Sequence, residues 1–336
     1  MLTVAVDARD ARAPRPRGWG RHARDLLAAL RARGDVRVAE HAGGGRLPEL
    51  AWEQAGWPLR LRAAPPDVVH SPNCFLPLWR PAPGVVTVHD LAFEVHRADF
   101  ARTTGWKYRT FTRAAVRSAE RVIAVSRWTA DDLCARYGAD PAKVRVVHNA
   151  PSLALGDAPV PDGPPYLLAV GDVRAKKNLG RLVRAFGALR EGELRGWRLV
   201  LAGVTDERQV TAPLLSAGVV VTGWVDDARL DALVRGAACV VHPSLYEGFG
   251  LVLLEAMARG TPVAAARATA LPEVGGDACE WFDPHDHDDL AAAVLRAIAR
   301  RDELAALGRA RATRFSWARA AQETVAVYRE AAACGR

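Results

Sequence analysis

Long apolar runs are missing from this chain of 336 residues. No stretch reaches the roughly 18–20 residues that a membrane-spanning helix needs, so helical spans are excluded. The opening Met1–Val6 is apolar but is stopped at once by Asp7. It lacks the basic front and long apolar centre of a secretory signal, and a cytoplasmic location is expected. Cysteine is scarce: Cys74, Cys134, Cys239, Cys279 and Cys334 are scattered and odd in number. No pair has metal-ligand spacing, which argues against a disulfide framework or a zinc site and for free thiols. No Asp-x-Asp platform sits in a strand-loop context, so no metal site is expected. The histidines of DPHDHDD, His285 and His287, read as a solvated turn. No aromatic-basic ladder or nucleic-acid motif is present, and no nucleic-acid partner is expected.

Half of the residues are apolar and a quarter are charged, an ordinary soluble composition long enough for two domains. Charge is uneven. Residues 1–155 hold 24 Lys+Arg against 15 Asp+Glu, and the remainder holds 22 against 23. The basic excess therefore lies in the N-terminal half, which points to an anionic partner there. The segment 101–118 carries Arg102, Lys107, Arg109, Arg113 and Arg117 with no acid, interleaved with Trp106, Tyr108 and Phe111. A basic helix of this kind can lie on an anionic membrane surface, and a peripheral contact on the inner face of the membrane is one expectation.

Aliphatic runs bounded by turn residues alternate with helix-period stretches. Strands are expected at 2–6, 36–40, 67–70, 84–90, 121–126 and 143–149, with a helix from Arg21 to Arg33. Residues 150–165, APSLALGDAPVPDGPP, have no periodicity and read as a linker. Beyond it strands are expected at 166–171, 197–203, 218–223, 239–244 and 262–266, with helices at 178–190, 226–236, 250–259 and 287–299. The last segment, Ser316 to Ala333, reads as an amphipathic helix. Near-continuous aliphatic strands alternating with helices indicate parallel sheets covered on both faces. Ligands of such sheets bind on the loops that follow the strands.

The richest stretch is PSLYEGFGLVLLEAMARGTPVAA (243–265). Gly248 and Gly250 flank Phe249 at a strand-to-helix turn, where backbone can approach a ligand closely. The free amides of the following helix, from Gly248 to Leu251, can bind a phosphate or a sugar hydroxyl. Glu255 on that helix can accept two hydrogen bonds from a ribose diol. Glu247 in the loop can reach a transferred sugar. His242, just before Pro243, reads equally as a satisfied strand-end residue or a ligand.

This segment strongly resembles the signature of retaining glycosyltransferases of family 4, which are built on the GT-B architecture of two Rossmann-like α/β domains facing a central cleft. In that family two glutamates with seven residues between them flank the donor, the register of Glu247 and Glu255. The run VGDVRAKKNLGRLVRAF (170–186) is similar to the family's donor-diphosphate segment. Lys177 matches its lysine. The second phosphate ligand is Lys176 or Arg174, since Asp172 stands near the place where other members carry arginine. The backbone after Gly223 is where the base is met. TVHDL (87–91) matches a segment whose histidine, here His89, approaches the sugar. The loop with Gly18 and Gly20 resembles the opening glycine-rich loop on the acceptor side, and FSW (315–317) the start of the last helix. The resemblance covers nearly the whole chain and is weakest at 41–66 and 92–118.

The resemblance implies an acceptor-side domain over 1–155, a donor domain over 156–315 and a helix over 316–336 that crosses back to the first. It implies transfer of a hexose of the mannose or glucose class, with retention, from a nucleotide diphosphate sugar to an acceptor it does not name, a lipid-linked one or a glycan among the options. His89, Glu247 and Lys177 carry the reaction, with no cofactor beyond the co-substrate. Two other classes compete. Gly18-Trp-Gly20-Arg-His-Ala23 fits a dinucleotide fingerprint, with Glu40 twenty positions on, and would suit an NAD(P)-dependent oxidoreductase. Eleven residues separate it from the first strand, however, where the fingerprint wants a tight turn. A non-catalytic protein on the same fold would not call for Glu247, Glu255, Lys177 and His89 together.

Overall fold

The computed structural model describes residues 1–14, 18–43, 48–203 and 218–335. It divides into two compact units, unit 1 from Met1–Ser152 with Phe315–Arg336, and unit 2 from Leu153–Arg314.

Unit 1 runs β1 (Leu2–Asp7), α1 (Gly18–Arg31), β2 (Val36–His41), α2 (Glu49–Ala51), a π turn over Trp52–Gly56 and α3 (Trp57–Ala63). It continues with β3 (Val68–Ser71), β4 (Gly84–Val88), α4 (Ala92–Val95), α5 (Arg102–Ser118), β5 (Arg121–Ala124), α6 (Arg127–Tyr137) and β6 (Val144–Val146). The strands form one sheet in the order β2-β1-β3-β4-β5-β6, every pair parallel. Successive strand residues point to opposite faces, so the sheet feeds two cores. Val4, Val68, Val85 and Ile123 join Leu26, Leu27 and Leu30 of α1. Ala5, Val69, Val86 and Val122 join Trp52, Trp57, Phe93 and Val116 on the other side.

Unit 2 runs β7 (Tyr166–Val170), α7 (Leu179–Glu191), β8 (Arg198–Ala202), β9 (Val219–Gly223), α8 (Asp227–Gly236), β10 (Cys239–His242) and α9 (Leu251–Ala258). Then follow β11 (Val263–Ala266), α10 (Leu271–Gly275), β12 (Glu280–Phe282), α11 (His287–Ala299) and α12 (Arg301–Ala312). Its sheet is also wholly parallel, in the order β12-β11-β10-β7-β8-β9. The strand order reverses between β7 and β10 here, and between β1 and β3 in unit 1. At such a switch point the connections leave in opposite directions and open a crevice at the carboxyl ends of the strands.

Features outside the sequence expectations include the short strand β12, α12 beyond α11, α10, and in unit 1 the π turn with α2, α3, α4 and α6. The expected strand over 143–149 is only three residues long, because Val147 already leaves the ladder after donating its amide to Ala124 O. Among the described residues no helix is long and apolar enough to cross a membrane.

The last helix, α13 (Trp317–Cys334), lies on the α1 face of the unit 1 sheet, where Ala320, Val325 and Tyr328 are buried. Ser316 caps it by accepting the Arg319 amide at 3.2 Å. Tyr328 Oη lies 2.7 Å from His70 Nδ1, and His70 Nε2 lies 2.9 Å from Thr87 Oγ1. Burial pushes His70 down to about 3, so the ring is neutral and needs a donor at one nitrogen and an acceptor at the other. Tyr328→Phe removes one of these two partners and strands a buried nitrogen. Chemical denaturation should show unit 1 destabilised by ~1–3 kcal/mol, the cost of an unsatisfied buried group; an unchanged midpoint would mean that His70 has another partner.

Candidate active site

The switch point of unit 2 gathers the loops after β7 and β10. After β7 the chain turns at Gly171, whose φ of +142° strains any side chain, and a Cβ there would stand in tight contact, 3.1 Å from Lys177 Cε. A 3-10 turn, Ala175–Lys177, then presents both lysines. Asn178 closes it in the left-handed region, at φ 55°. Its amide nitrogen donates to Pro243 O at 3.2 Å and to Pro284 O at 2.8 Å, tying this loop to the one after β10. The Leu245 amide donates to Lys176 O at 2.7 Å, a second tie between the two loops.

The loop after β10 carries Glu247. Lys177 Nζ lies 2.6 Å from Glu247 Oε1, and His242 Nε2 lies 3.4 Å from the same oxygen. Lys176 is buried, with its ammonium 5.9 Å from the centre of the Tyr246 ring. Burial alone would raise the Glu247 carboxyl, but Lys177, Lys176 and His242 outweigh it and hold it well below its ordinary value. Glu247 is therefore ionised at neutral pH and acts as a hydrogen-bond acceptor rather than a proton donor. Burial lowers His242, which is neutral there. The Glu247 amide donates to Thr269 Oγ1 at 2.9 Å.

Gly248 and buried Phe249 lead to Gly250, which has φ +112° and precedes the first turn of α9. A Cβ on Gly250 would come within 2.8 Å of Leu271 Cδ2. Leu251 is the first residue of that helix. Glu255 follows one turn later on α9 and is buried. Arg174 lies 3.9 Å from Asp172 and is partly exposed. Gly223 ends β9 in the left-handed region, where its carbonyl accepts the Gly203 amide at 2.8 Å.

Arg259 was not foreseen. Its side chain is 0% exposed. Its Nε donates to Asp231 Oδ1 at 2.7 Å, and Nη1 reaches Glu255 Oε2 at 3.2 Å. Nη2 donates to Leu153 O and Ala154 O, both at 2.9 Å. The Leu153 amide in turn donates to Glu255 Oε1 at 2.8 Å. Both Glu255 oxygens are thus engaged. The i,i+4 spacing of Glu255 and Arg259 was the available signal.

In unit 1, His89 follows β4 and is buried, donating from Nε2 to Pro72 O at 2.8 Å. Burial lowers it, so it is neutral and keeps Nδ1 as an acceptor. Trp19 stacks on it at 5.8 Å between ring centres. Gly18 and Gly20 do not form a turn on β1. Gly18 opens α1 and Gly20 is buried within that helix, with a separate 3-10 turn at Asp10–Arg12 in between. This corrects the dinucleotide alternative, whose phosphate loop must follow the strand directly. The acidic segment at 283–289 is a largely exposed turn that runs into the first turn of α11. Asp286 caps α11 by accepting the amides of Asp288 and Asp289, and Asp283 accepts that of His285.

Comparison with known proteins gives this geometry its context. Solved structures of similar architecture include sucrose-phosphate synthase from Thermosynechococcus elongatus, 21% identical with TM-score 0.77 over 99% of this chain and 100% of that one. Another is the Anabaena protein HepE in complex with UDP and glucose, 17% identical with TM-score 0.72 over 97% and 99%. The two parallel sheets are of the GT-B class. Residues 156–314 match the model of the glycosyl transferases group 1, and residues 16–154 that of glycosyltransferase family 4. An O-antigen chain mannosyltransferase B of Escherichia coli is 30% identical over 78% of this chain and 74% of its own length. The chain belongs to glycosyltransferase family 4 and is a glycosyltransferase.

Removing the Arg259 side chain leaves Asp231 and Glu255 buried with less compensation. Arg259→Ala should destabilise unit 2 by ~3–5 kcal/mol in chemical denaturation, the range for breaking a buried charge pair. Arg259→Lys should recover only part, because one ammonium cannot reach four acceptors on different elements. A loss under 1 kcal/mol for the alanine variant would show that the network is not a structural anchor.

Proposed function

We propose that this enzyme transfers a hexose, mannose or glucose, from a nucleoside diphosphate sugar with retention of configuration and without a metal. The observation that carries the reading is the Lys177–Glu247 contact of 2.6 Å beside Lys176 and the N-terminus of α9. Positive charge for a diphosphate and a carboxylate for sugar hydroxyls stand at one switch point. The mannosyltransferase relative supports mannose, and the glucose in the HepE structure supports glucose.

In the reaction the bond from the anomeric carbon to the diphosphate oxygen breaks on the face where the acceptor oxygen adds. The acceptor's proton passes to the departing diphosphate. Lys177, with Lys176 and then Arg174, stabilises the charge growing on that diphosphate, together with the amides of Gly248–Leu251. Glu247, held ionised, orients sugar hydroxyls. Glu255 binds the ribose, and backbone near Gly223 meets the base. His89 accepts a sugar hydroxyl at Nδ1.

A panel of nucleoside diphosphates in thermal shift should show one base that stabilises the chain selectively. With GDP-mannose or UDP-glucose, turnover should survive saturating EDTA and fall at least a hundredfold in Lys177→Ala. Complete loss in EDTA, restored by magnesium or manganese, would overturn the metal-free scheme.

A weak contact with an anionic membrane is a second element of the proposal, narrower than the charge of residues 101–118 suggested. Lys107 pairs with Glu49 and Glu53, Arg113 with Glu94, and Arg109 donates to Phe93 O. Arg102 and Arg117 remain exposed on the same face of α5 as Trp106, which is 56% exposed. Two arginines supply about 2 kcal/mol near an anionic bilayer. Cosedimentation should be detectable with anionic liposomes at low salt and abolished by Trp106→Ala; equal, negligible binding to anionic and neutral liposomes would remove the membrane role.

A further inference from the structure

We infer that Thr269, in the loop after β11, is a positioning residue of the transfer reaction: its hydroxyl fixes the backbone of Glu247 and so aims the Glu247 carboxylate at the sugar of the donor. The inference rests on the glycosyltransferase reading of unit 2 and adds a residue which that reading does not assign.

Backbone conformation singles the residue out. Among the described residues, Asn178 and Thr269 are the non-glycine residues with positive φ, at 55° and 49°. The left-handed region crowds Cβ against a carbonyl oxygen. Asparagine enters it readily, and a β-branched residue does not. Thr269 is therefore held there by its surroundings. Glycine would take this φ without strain, but glycine has no hydroxyl. What the hydroxyl does accounts for the residue type.

Both left-handed positions grip the same segment. β10 lies between β7 and β11 in the sheet, so the loop after β10 is reached from both sides. From the β7 side, Asn178 Nδ2 donates to Pro243 O at 3.2 Å, and Lys176 O accepts the Leu245 amide at 2.7 Å. From the β11 side, Thr269 Oγ1 accepts the Glu247 amide at 2.9 Å, and the Ala270 amide donates to Glu247 O at 3.4 Å. Residues 243–247 are thus tied at the start, the middle and the end, and the end is Glu247 itself. The β11 loop is anchored in turn: the Arg267 amide donates to Phe282 O at 2.8 Å, and the Leu271 amide to Ala268 O at 3.1 Å.

The Glu247 carboxylate ends a long rotatable side chain. Lys177 Nζ meets it at 2.6 Å, but Lys177 is longer and more rotatable still. A group that orients a substrate must keep its productive geometry to within about 0.5 Å. The backbone anchor supplies a constraint that two flexible side chains cannot supply to each other. Without the hydroxyl the Glu247 amide loses its acceptor, and the peptide can turn the carboxylate away. The Asn178 and Lys176 ties stay in place, and so do the groups that hold the diphosphate. The damage falls on the sugar and spares the diphosphate.

Calorimetry on the full chain reads these two parts separately. GDP is compared with GDP-mannose, and UDP and ADP with their glucose conjugates. Within the pair that binds, the ratio of the two dissociation constants measures the contribution of the sugar. Thr269→Ala should shift this ratio against the sugar by about fivefold, the scale of one lost hydrogen bond. Its affinity for the nucleoside diphosphate should stay within about twofold of wild type, and Thr269→Ser, which keeps the hydroxyl, should restore the ratio. Thr269→Gly should lose the ratio as alanine does while its thermal transition stays at or above that of wild type, because glycine relieves the strain. A merely structural role would move stability and leave the ratio alone. In a Glu247→Ala background, Thr269→Ala should change nothing further, since its effect runs through Glu247. A ratio indifferent to Thr269→Ala, an equal loss for both members of the pair, no recovery with serine, or an undiminished effect in the Glu247→Ala background overturns the inference. Failure of the wild-type chain to bind any of these pairs overturns the donor reading of unit 2 itself, and shows before any variant is made.

Discussion

A parallel sheet delivers every strand's carboxyl end to the same edge, and the helices that follow must leave that edge to one side or the other. Where the strand order reverses, two neighbouring helices depart in opposite directions and nothing roofs the gap. In unit 2 this happens between β7 and β10, and the residues set by that constraint are those argued to handle the donor. Lys177 comes from the loop after β7 and Glu247 from the loop after β10, and they meet at 2.6 Å because their strands are neighbours. The Asn178 side chain and the Lys176 carbonyl then fasten the two loops to each other.

The reversal in unit 1, between β1 and β3, has the same shape but different side chains beside it. Unit 2 places two lysines against one ionised glutamate. Unit 1 places Arg9 and Lys107 against Asp7, Glu49 and Glu53 and adds the rings of Trp19, Phe75 and Tyr108. The distinction lies in side-chain chemistry alone, which is why the GT-B fold by itself names no substrate.

Buried charge is handled by sharing. Arg259 divides its donors among Asp231, Glu255 and two carbonyls at the start of unit 2. Arg9 divides its own between Asp7 and Glu53. In both cases a planar guanidinium meets acceptors on different elements at once, which an ammonium cannot do. Such networks fix relative positions more than they add stability, since desolvation offsets much of the attraction. The Glu255 carboxylate is thereby held in one place whatever its ligand.

Periodicity in the chain was sufficient for the alternating strands and helices of both units, because aliphatic runs of a parallel sheet and the turn residues around them are local signals. The spacing of Glu247 and Glu255 and the run containing Lys177 were equally local, and they carried the family. The short strand β12 and the π turn at Trp52–Gly56 were not readable. Three residues give no period, and a single π turn differs from an α-helix by one extra residue in the turn, which leaves no pattern of residue types. The charge of residues 101–118 was visible in the sequence, but its partners were not: Glu49, Glu53 and Glu94 lie tens of residues away or on another element. By itself the sequence determined the alternation of strands and helices and the family, and it named the candidate donor-side residues. Only the tertiary structure decided which charges neutralise one another, because that depends on which strands become neighbours, and strand order follows from packing between distant segments rather than from any pattern along the chain.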